Sequence, residues 1–250
     1  MNEHRTIFVV FYVDDVQVLY HQQNEAVAQQ IVNGMKRAYE LRELGDVEWF
    51  LGVRVIRDRS QKKLWLAHDT YIEKVAKRFA LIDGKCPSTP LPSYDLTKNQ
   101  KQAPLDSIKV YQEKVGSVLY TAITLRPDVA FVASQLSHFL TNPSPEHMAA
   151  INWTIKYLFG TRFLGIMYKF EPDGLGPQLL IASDASFADD KESRRSSHGY
   201  TISLFGGLIA WRAARQDTVT TSTTEAELLG VERTATVSYT HLTLPTKRIV

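Results

Sequence analysis

Apolar residues along this chain change period several times, and each change predicts an element. Ile7 to Tyr12 is a β-branched and aromatic run, and Val16 to Tyr20 resumes it beyond Asp14 and Asp15. Residues 6–20 therefore read as strand, acidic turn, strand. Helical spacing follows, with Val27, Ile31, Met35, Ala38 and Tyr39 on one face and Asn24 placed as the cap. Trp49 to Ile56 and Lys63 to Ala67 return to strand around the polar turn Asp58-Arg-Ser-Gln-Lys. Thr70 and Glu73 have the spacing of a capping box, and Tyr71, Ile72, Val75, Ala76 and Phe79 line the helix it would start.

From Cys86 to Pro104 the chain is rich in proline and polar residues and reads as a connector. A helical block comes next. Val110 to Leu125 carries Val115, Val118, Leu119 and Ala122, and Arg126-Pro-Asp restarts a second helix that reaches Leu140. Ser144-Pro-Glu is a helix start with proline in the first turn, and Gly160 ends that third helix. Strand patterns then cover Leu179 to Ser183, Gly199 to Leu204 and Gly207 to Trp211, and a helix opens at Ser222. Helices and strands in separate runs define an α+β chain.

Composition narrows the classes. Hydrophobic residues make up 44% and charged residues 22% of 250 positions, which suits a globular chain and not a disordered one. The apolar runs fall well short of the ~18 residues a bilayer span needs. Met1-Asn-Glu-His-Arg-Thr sets acid beside base, so neither a span nor a signal peptide is expected. The single cysteine, Cys86, excludes an internal disulfide and fits an intracellular protein. A net charge of +2 says little by itself, but it is uneven: Arg54 to Lys85 holds nine bases against four acids. That stretch suits a phosphate backbone, and it equally suits a solvated hairpin and helix face.

The chemistry starts with Asp14 and Asp15. Burying two adjacent carboxylates in an apolar strand costs several kcal/mol, on the order of that for any uncompensated buried charge. A hard divalent cation removes the cost, and a tight turn would present both acids at the lip of a sheet. A simple polar hairpin turn is the plainer alternative.

Tyr12-Val-Asp-Asp resembles the catalytic-core motif of reverse transcriptases, and the chain as a whole resembles the Pol polyprotein of copia-type retrotransposons. Leu41-Arg-Glu-Leu-Gly-Asp, Trp49-Phe-Leu-Gly-Val-Arg-Val, Tyr71-Ile-Glu-Lys-Val, Ser88-Thr-Pro-Leu, Val115-Gly-Ser-Val-Leu-Tyr, Leu125-Arg-Pro-Asp and Tyr157-Leu-Phe-Gly-Thr carry the likeness along roughly residues 6–233. By this resemblance Asp14 is the principal metal ligand and Asp15 its neighbour. Phe50, Leu51 and Gly52 are the hairpin that grips a primer terminus. Ile181-Ala-Ser-Asp-Ala-Ser is similar to the first strand of a ribonuclease H domain, with Asp184 at its aspartate. Thr223-Thr-Glu-Ala-Glu is similar to the helix carrying its glutamate, with Glu225 in that place. Arg194 and Arg195, in the hairpin between, would contact phosphates, although a solvated loop fits them equally. Glu225, three residues after Ser222, also fits the acid of a capping box. His147 and His198 read as structural, and Asp189 and Asp190 as surface loop.

The resemblance implies RNA-directed DNA synthesis and cleavage of RNA in RNA–DNA hybrids by two-metal catalysis with Mg²⁺ or Mn²⁺. A primer–template duplex would be the partner, and a cytoplasmic virus-like particle the location. The expected layout is the end of a palm over 1–67, a thumb-like helix and connector over 68–104, a helical connection over 105–177, a truncated ribonuclease H-like domain over 178–236, and a tail outside the family over 237–250. Only thirteen residues precede Asp14, and no earlier aspartate motif stands among them. After Glu225 the acids are Glu227 and Glu232 on the same helix. Both catalytic sets are therefore expected to be incomplete, with the fingers and upstream palm supplied by the same polyprotein. A nucleic-acid-binding remnant without catalysis, or a pseudogene product, is the alternative reading.

Overall fold

A computed structural model describes residues 7–92, 96–169, 179–190 and 193–242, with the side chains of 241 and 242 left aside. The chain divides into two compact units, Met1–Val47 and Glu48–Val250. Six α-helices and three antiparallel sheets make a mixed α+β protein among the described residues. None of those helices is long and apolar enough to cross a membrane.

The first unit holds β1 (Ile7–Tyr12), β2 (Asp15–Tyr20) and α1 (Glu25–Ala38). β1 and β2 pair from Ile7↔Tyr20 to Tyr12↔Asp15, as the strand–turn–strand pattern predicts. Asn24 stands at the N-cap of α1, but its side chain makes no cap bond, because the chain enters through a 3-10 turn over Gln22–Asn24.

In the second unit, β3 (Trp49–Phe50), β4 (Val53–Asp58), β5 (Lys63–Ala67) and β6 (Gly165–Lys169) form one sheet in that order. The expected strand over 49–56 is broken by a turn at Leu51-Gly52, where φ is +52° and +78°. α2 (Asp69–Arg78) starts one residue before the predicted capping box, and no cap bond forms. Thr70 N instead donates to Asp69 Oδ1 at 2.8 Å and Glu73 pairs with Lys77 at 2.6 Å, so the expected partners are engaged elsewhere. β6 lies inside the stretch expected to be helical, and its register with β5 runs from Lys63↔Lys169 to Ala67↔Gly165.

α3 (Leu105–Thr124), α4 (Ala130–Ser137) and α5 (Pro145–Gly160) form the core with α2. Ile72, Tyr111, Val118, Leu136, Ile151 and Ile155 are fully buried there. α3 begins five residues earlier than its apolar stripe suggests, and α4 stops at Ser137, short of Leu140. Ser144 caps α5 as predicted: its Oγ accepts from His147 N at 3.2 Å, and His147 Nδ1 accepts from Ser144 N at 2.9 Å. His147 thus completes a capping box, and its ring stacks on Phe139 at 3.7 Å.

A third sheet orders β7 (Leu180–Ser186), β8 (Ser197–Leu204) and β9 (Gly207–Arg215), and α6 (Thr223–Leu242) follows. α6 contacts the sheet through small residues. Ala226, Gly230, Thr234 and Ser238 are buried, while Leu228, Val231 and Tyr239 face outward. A Cβ on Gly230 would meet Ser183 Oγ at 3.3 Å, which fixes how close helix and strand lie. Residues 237–242 of the expected tail continue α6, and 243–250 lie outside the described residues.

His68, at the start of α2, is fully buried, and neither ring nitrogen has a hydrogen-bond partner among the described residues. The rings of Tyr71 and Tyr120 lie 5.1 and 5.3 Å away. Burial pushes its pKa down to about 4, against the opposing pull of Asp69. An unfolded chain protonates this histidine near its ordinary value, whereas the folded one keeps it neutral. Stability from this site is full above pH ~6.5 and drains as the pH falls to ~4, by about 3 kcal/mol. Urea midpoints at those two pH values should converge in His68→Phe relative to the parent; an unchanged difference would refute the assignment.

Candidate functional site

The β1–β2 hairpin closes through a two-residue turn, Val13-Asp14, and Asp15 opens β2. Val13 has φ +51° and is 87% exposed. A left-handed first turn residue followed by an ordinary second is the type II′ pattern, which glycine normally fills. A β-branched residue there is strained by roughly 1–2 kcal/mol, and local strain of this kind gathers at functional turns. Replacing it by Val13→Gly is expected to stabilise the hairpin by about 1 kcal/mol, slowing exchange of the β1–β2 amides about fivefold. Faster or unchanged exchange would show that the turn is relaxed.

Asp14 and Asp15 are both exposed, and their side chains make no hydrogen bond or ion pair among the described residues. The hairpin around them is apolar on both faces. Phe8, Val10, Tyr12 and Leu19 project from one face and Phe11 from the other, all substantially exposed. As donors the two carboxylates have the hard oxygens that Mg²⁺ takes. Their number falls short, because no group of three or more potential ligands stands together among the described residues. These two acids alone do not make a metal site, and no catalytic step is derived from them.

Phe50, Leu51 and Gly52 occupy the end of a second hairpin, in the other unit. Positive φ at both central residues is the type I′ pattern, which matches the twist of the strands it joins. Tyr120 on α3 donates its hydroxyl to Leu51 O at 3.2 Å and holds the tip. Trp49 is half-exposed beside it, with the Arg54 guanidinium 5.9 Å from its ring.

Asp184 is exposed on β7. Ser183 and Ala185 face Gly230 of α6, so strand alternation turns Asp184 to the opposite face of the sheet. Glu225 sits in the first turn of α6 and works as a cap. It accepts from Thr221 N at 2.6 Å and Thr221 Oγ1 at 2.8 Å, while Ser222 Oγ accepts from Glu225 N at 3.1 Å. The backbone and hydroxyl bonds from Thr221 lower its pKa. Asp184 and Glu225 thus stand on different elements, Glu225 engaged as a cap and Asp184 accepting from its neighbour Ala185 N at 3.0 Å.

Arg194 and Arg195 lie on a loop that Asp190 anchors. Asp190 pairs with Arg215, accepts from Ser193 Oγ at 2.7 Å, and its carbonyl accepts from Arg194 N at 2.8 Å. No local signal marks Asp190 as the organiser of the loop, since its partner Arg215 is 25 residues away. Two concavities of ≈ 300 and ≈ 370 Å³ flank Leu125 and Leu208, and none of the predicted acids lines either.

Comparison with known proteins supplies the class first. A family described as reverse transcriptase (RNA-dependent DNA polymerase) matches residues 1–93. The Pol polyprotein of transposon TNT 1-94 from Nicotiana tabacum is 33% identical over 240 residues, covering 93% of this chain and 18% of its own length. That of transposon RE1 from Arabidopsis thaliana is 29% identical over 232 residues, covering 92% and 15%. Secreted RxLR effector protein 161 of Plasmopara viticola is 38% identical over 138 residues, covering 55% of this chain and 94% of that protein. No solved structure matches. Residues 1–93 thus carry a reverse transcriptase domain, and the chain is similar to copia-type retrotransposon Pol polyproteins over most of its length, while it spans less than a fifth of the two Pol relatives.

Proposed function

We propose that this chain is a working part of a retrotransposon reverse transcriptase, in which the Val13-Asp14 hairpin supplies two of the carboxylates of a divalent-metal polymerase site. The observation that carries the reading is a strained, exposed turn with two unengaged acids, inside the segment that the reverse transcriptase family matches. The remaining metal ligands come from other parts of the polyprotein, and Mg²⁺ or Mn²⁺ would supply the charge stabilisation that phosphoryl transfer needs. Residues 1–67 form the end of a palm, with Phe50, Leu51 and Gly52 as the primer-gripping tip. Residues 68–104 form a thumb-like helix and connector, and 105–177 the connection.

Residues 178–236 are assigned a ribonuclease H-like fold, on three sequential antiparallel strands followed by a helix against one face. Asp184 and Glu225 hold the acid positions of that domain, and Glu225 serves cleavage only once its bonds to Thr221 open. Residues 243–250 stay outside the assignment. The substrate is a primer–template duplex, and the polyprotein acts in a cytoplasmic particle.

The test is a chimera in which residues 1–93 replace the matching segment of an active retrotransposon polymerase. Mg²⁺-dependent primer extension by the chimera supports the reading. A folded chimera without extension, beside an active parent, overturns it.

A further inference from the structure

One face of the four-stranded sheet is open. Residues directly across from each other in antiparallel strands share a face, so the register sorts this sheet into rows. Trp49, Arg54, Ala67 and Gly165 make the first row on the open face. Ile56, Trp65 and Met167 make the second, and Asp58, Lys63 and Lys169 the third. The rows between belong to the covered face, where Ile166 is buried and Tyr168 donates its hydroxyl to Leu208 O of β9 at 2.6 Å. On the open face Trp49, Ile56 and Met167 are each more than 40% exposed, and Trp65 is half-buried between the last two.

An ordinary solvated sheet face carries polar side chains. This one sets two indoles, an isoleucine and a methionine beside three bases and one acid. The acid is engaged: Asp58 Oδ1 accepts from Ser60 Oγ at 2.6 Å and from Gln61 N at 3.0 Å, which closes the β4–β5 turn. The Arg54 guanidinium lies 5.9 Å from the Trp49 ring and 2.8 Å from Asp69 Oδ2, so the cation beside that indole is held in place. Lys63 and Lys169 stand side by side at the far end of the face, and the turn beyond them adds exposed Arg59 and Lys62. Like charges directly opposite destabilise a sheet, and an anion laid between them removes that cost. Two strands and two residues separate Trp49 from Trp65, which puts their backbones roughly 12 Å apart on ordinary sheet spacings. Each ring thus has room for a planar ligand of its own.

We propose that this face is a stacking platform for a single strand of nucleic acid, with one base on Trp49, one on Trp65, and the phosphates drawn to the basic end at Lys63 and Lys169. The occupant follows from the chemistry. Aromatic rings take any base through its π-face, and cations alongside them track the backbone. An apolar protein segment would suit the indoles but gain nothing from the bases. The proposal rests on the reverse transcriptase reading for the presence of nucleic acid, and it goes beyond that reading. The primer-gripping tip involves only Phe50, Leu51 and Gly52, whereas the platform lies on the face of the sheet and includes β6, outside residues 1–93.

The test measures binding of the whole chain to a fluorescein-labelled single-stranded RNA oligonucleotide without Mg²⁺, across a salt series. Trp49→Ala and Trp65→Ala should each weaken binding at least about fivefold, the scale of one lost base stack. Trp65→Phe keeps a ring and should recover most of that loss. Lys169→Gln should lower the salt slope by about 0.7, the share of one phosphate on a single strand. Phe131→Ala on α4 is the control and should leave binding unchanged, since its ring is 47% exposed against 48% for Trp49. Melting curves keep folding apart from binding, and Trp49→Ala, on an edge strand, decides the matter if Trp65→Ala does not fold. A parent that binds no single strand overturns the platform, as does equal affinity in the parent and a folded Trp49→Ala. A parent dimer that Ile56→Glu dissolves while RNA binding persists also overturns it, because the face would then belong to a second copy. Binding lost in the tryptophan variants, beside a chimera that fails to extend a primer, overturns the polymerase reading and leaves the platform standing.

Discussion

Asp14→Asn in the chimera should abolish primer extension, lowering the rate about 10³-fold or more, while the hairpin folds as well as before. The size follows from charge. A metal ligand lost at a phosphoryl-transfer site removes several kcal/mol of transition-state stabilisation, and about 4 kcal/mol corresponds to about 10³ in rate. The unchanged fold follows from geometry. Asp14 is a turn residue outside the β1–β2 ladder, exposed and without a bond to lose, and asparagine has the same shape. Asp15 pairs across from Tyr12, so its substitution touches the ladder as well as the site. Asp15→Asn should reduce extension less than Asp14→Asn does. Neutralising either member of an adjacent like-charged pair also removes repulsion, so stability should hold or rise by a few tenths of a kcal/mol, on the scale of such pairs. Lost activity without lost stability distinguishes a site residue from a turn residue. Extension by Asp14→Asn within threefold of the parent would reduce the pair to a polar hairpin turn.

Local rules were legible where a residue and its partner stand close in sequence. Ser144-Pro-Glu predicts the start of α5 because the cap bond spans three residues, and the turn expected at Asp14 and Asp15 lies one residue earlier, at Val13-Asp14. One miss involves a distant partner. β6 has five residues and no turn signal of its own; its strand character comes from pairing with β5 about a hundred residues earlier. The Thr70–Glu73 box fails because α2 already begins at Asp69, which puts Thr70 inside the helix, and Glu73 pairs with Lys77 instead. α6 carries almost no apolar stripe on its buried side, since Ala226, Gly230, Thr234 and Ser238 let the helix lie close to β7. Thr234 and Ser238 satisfy their hydroxyls on carbonyls one turn back, at 2.7 Å, so they are buried at little cost. For the site, residue chemistry singled out Asp14 and Asp15 as candidate ligands, with a polar hairpin turn as the other reading. The cap at Glu225 was one of two open readings.

Arg126→Ala is expected to be the most destabilising single substitution outside the hydrophobic core. Arg126 is 2% exposed, yet every face of its guanidinium is answered. Nε donates to Asp128 Oδ1 at 2.8 Å and Nη2 to Asp128 Oδ2 at 2.7 Å, while Thr161 accepts through its carbonyl at 3.0 Å and its hydroxyl at 2.7 Å. Tyr157 donates to Asp128 Oδ2 at 2.9 Å. Burial pushes the Asp128 carboxyl up, but the bonds and charge of Arg126 outweigh it, so its pKa lies below the ordinary range. The Leu125-Arg-Pro-Asp motif is thus a buried joint between the end of α3, the start of α4 and the end of α5. Removing the arginine strands a partly buried carboxylate and two acceptors of Thr161, which costs about 3–5 kcal/mol. Asp128 keeps a third of its side-chain surface in water, which favours the lower end, about 3 kcal/mol. Arg126→Lys retains the charge but loses the fork, and should cost roughly 1–3 kcal/mol. Urea unfolding of the whole chain measures both, as a fall in midpoint at constant slope. Arg194→Ala, exposed on its loop, should move the midpoint by no more than about 0.5 kcal/mol. Equal midpoints for Arg126→Ala and Arg194→Ala would mean that the joint carries none of the fold's stability, and the motif would then need a role in binding instead.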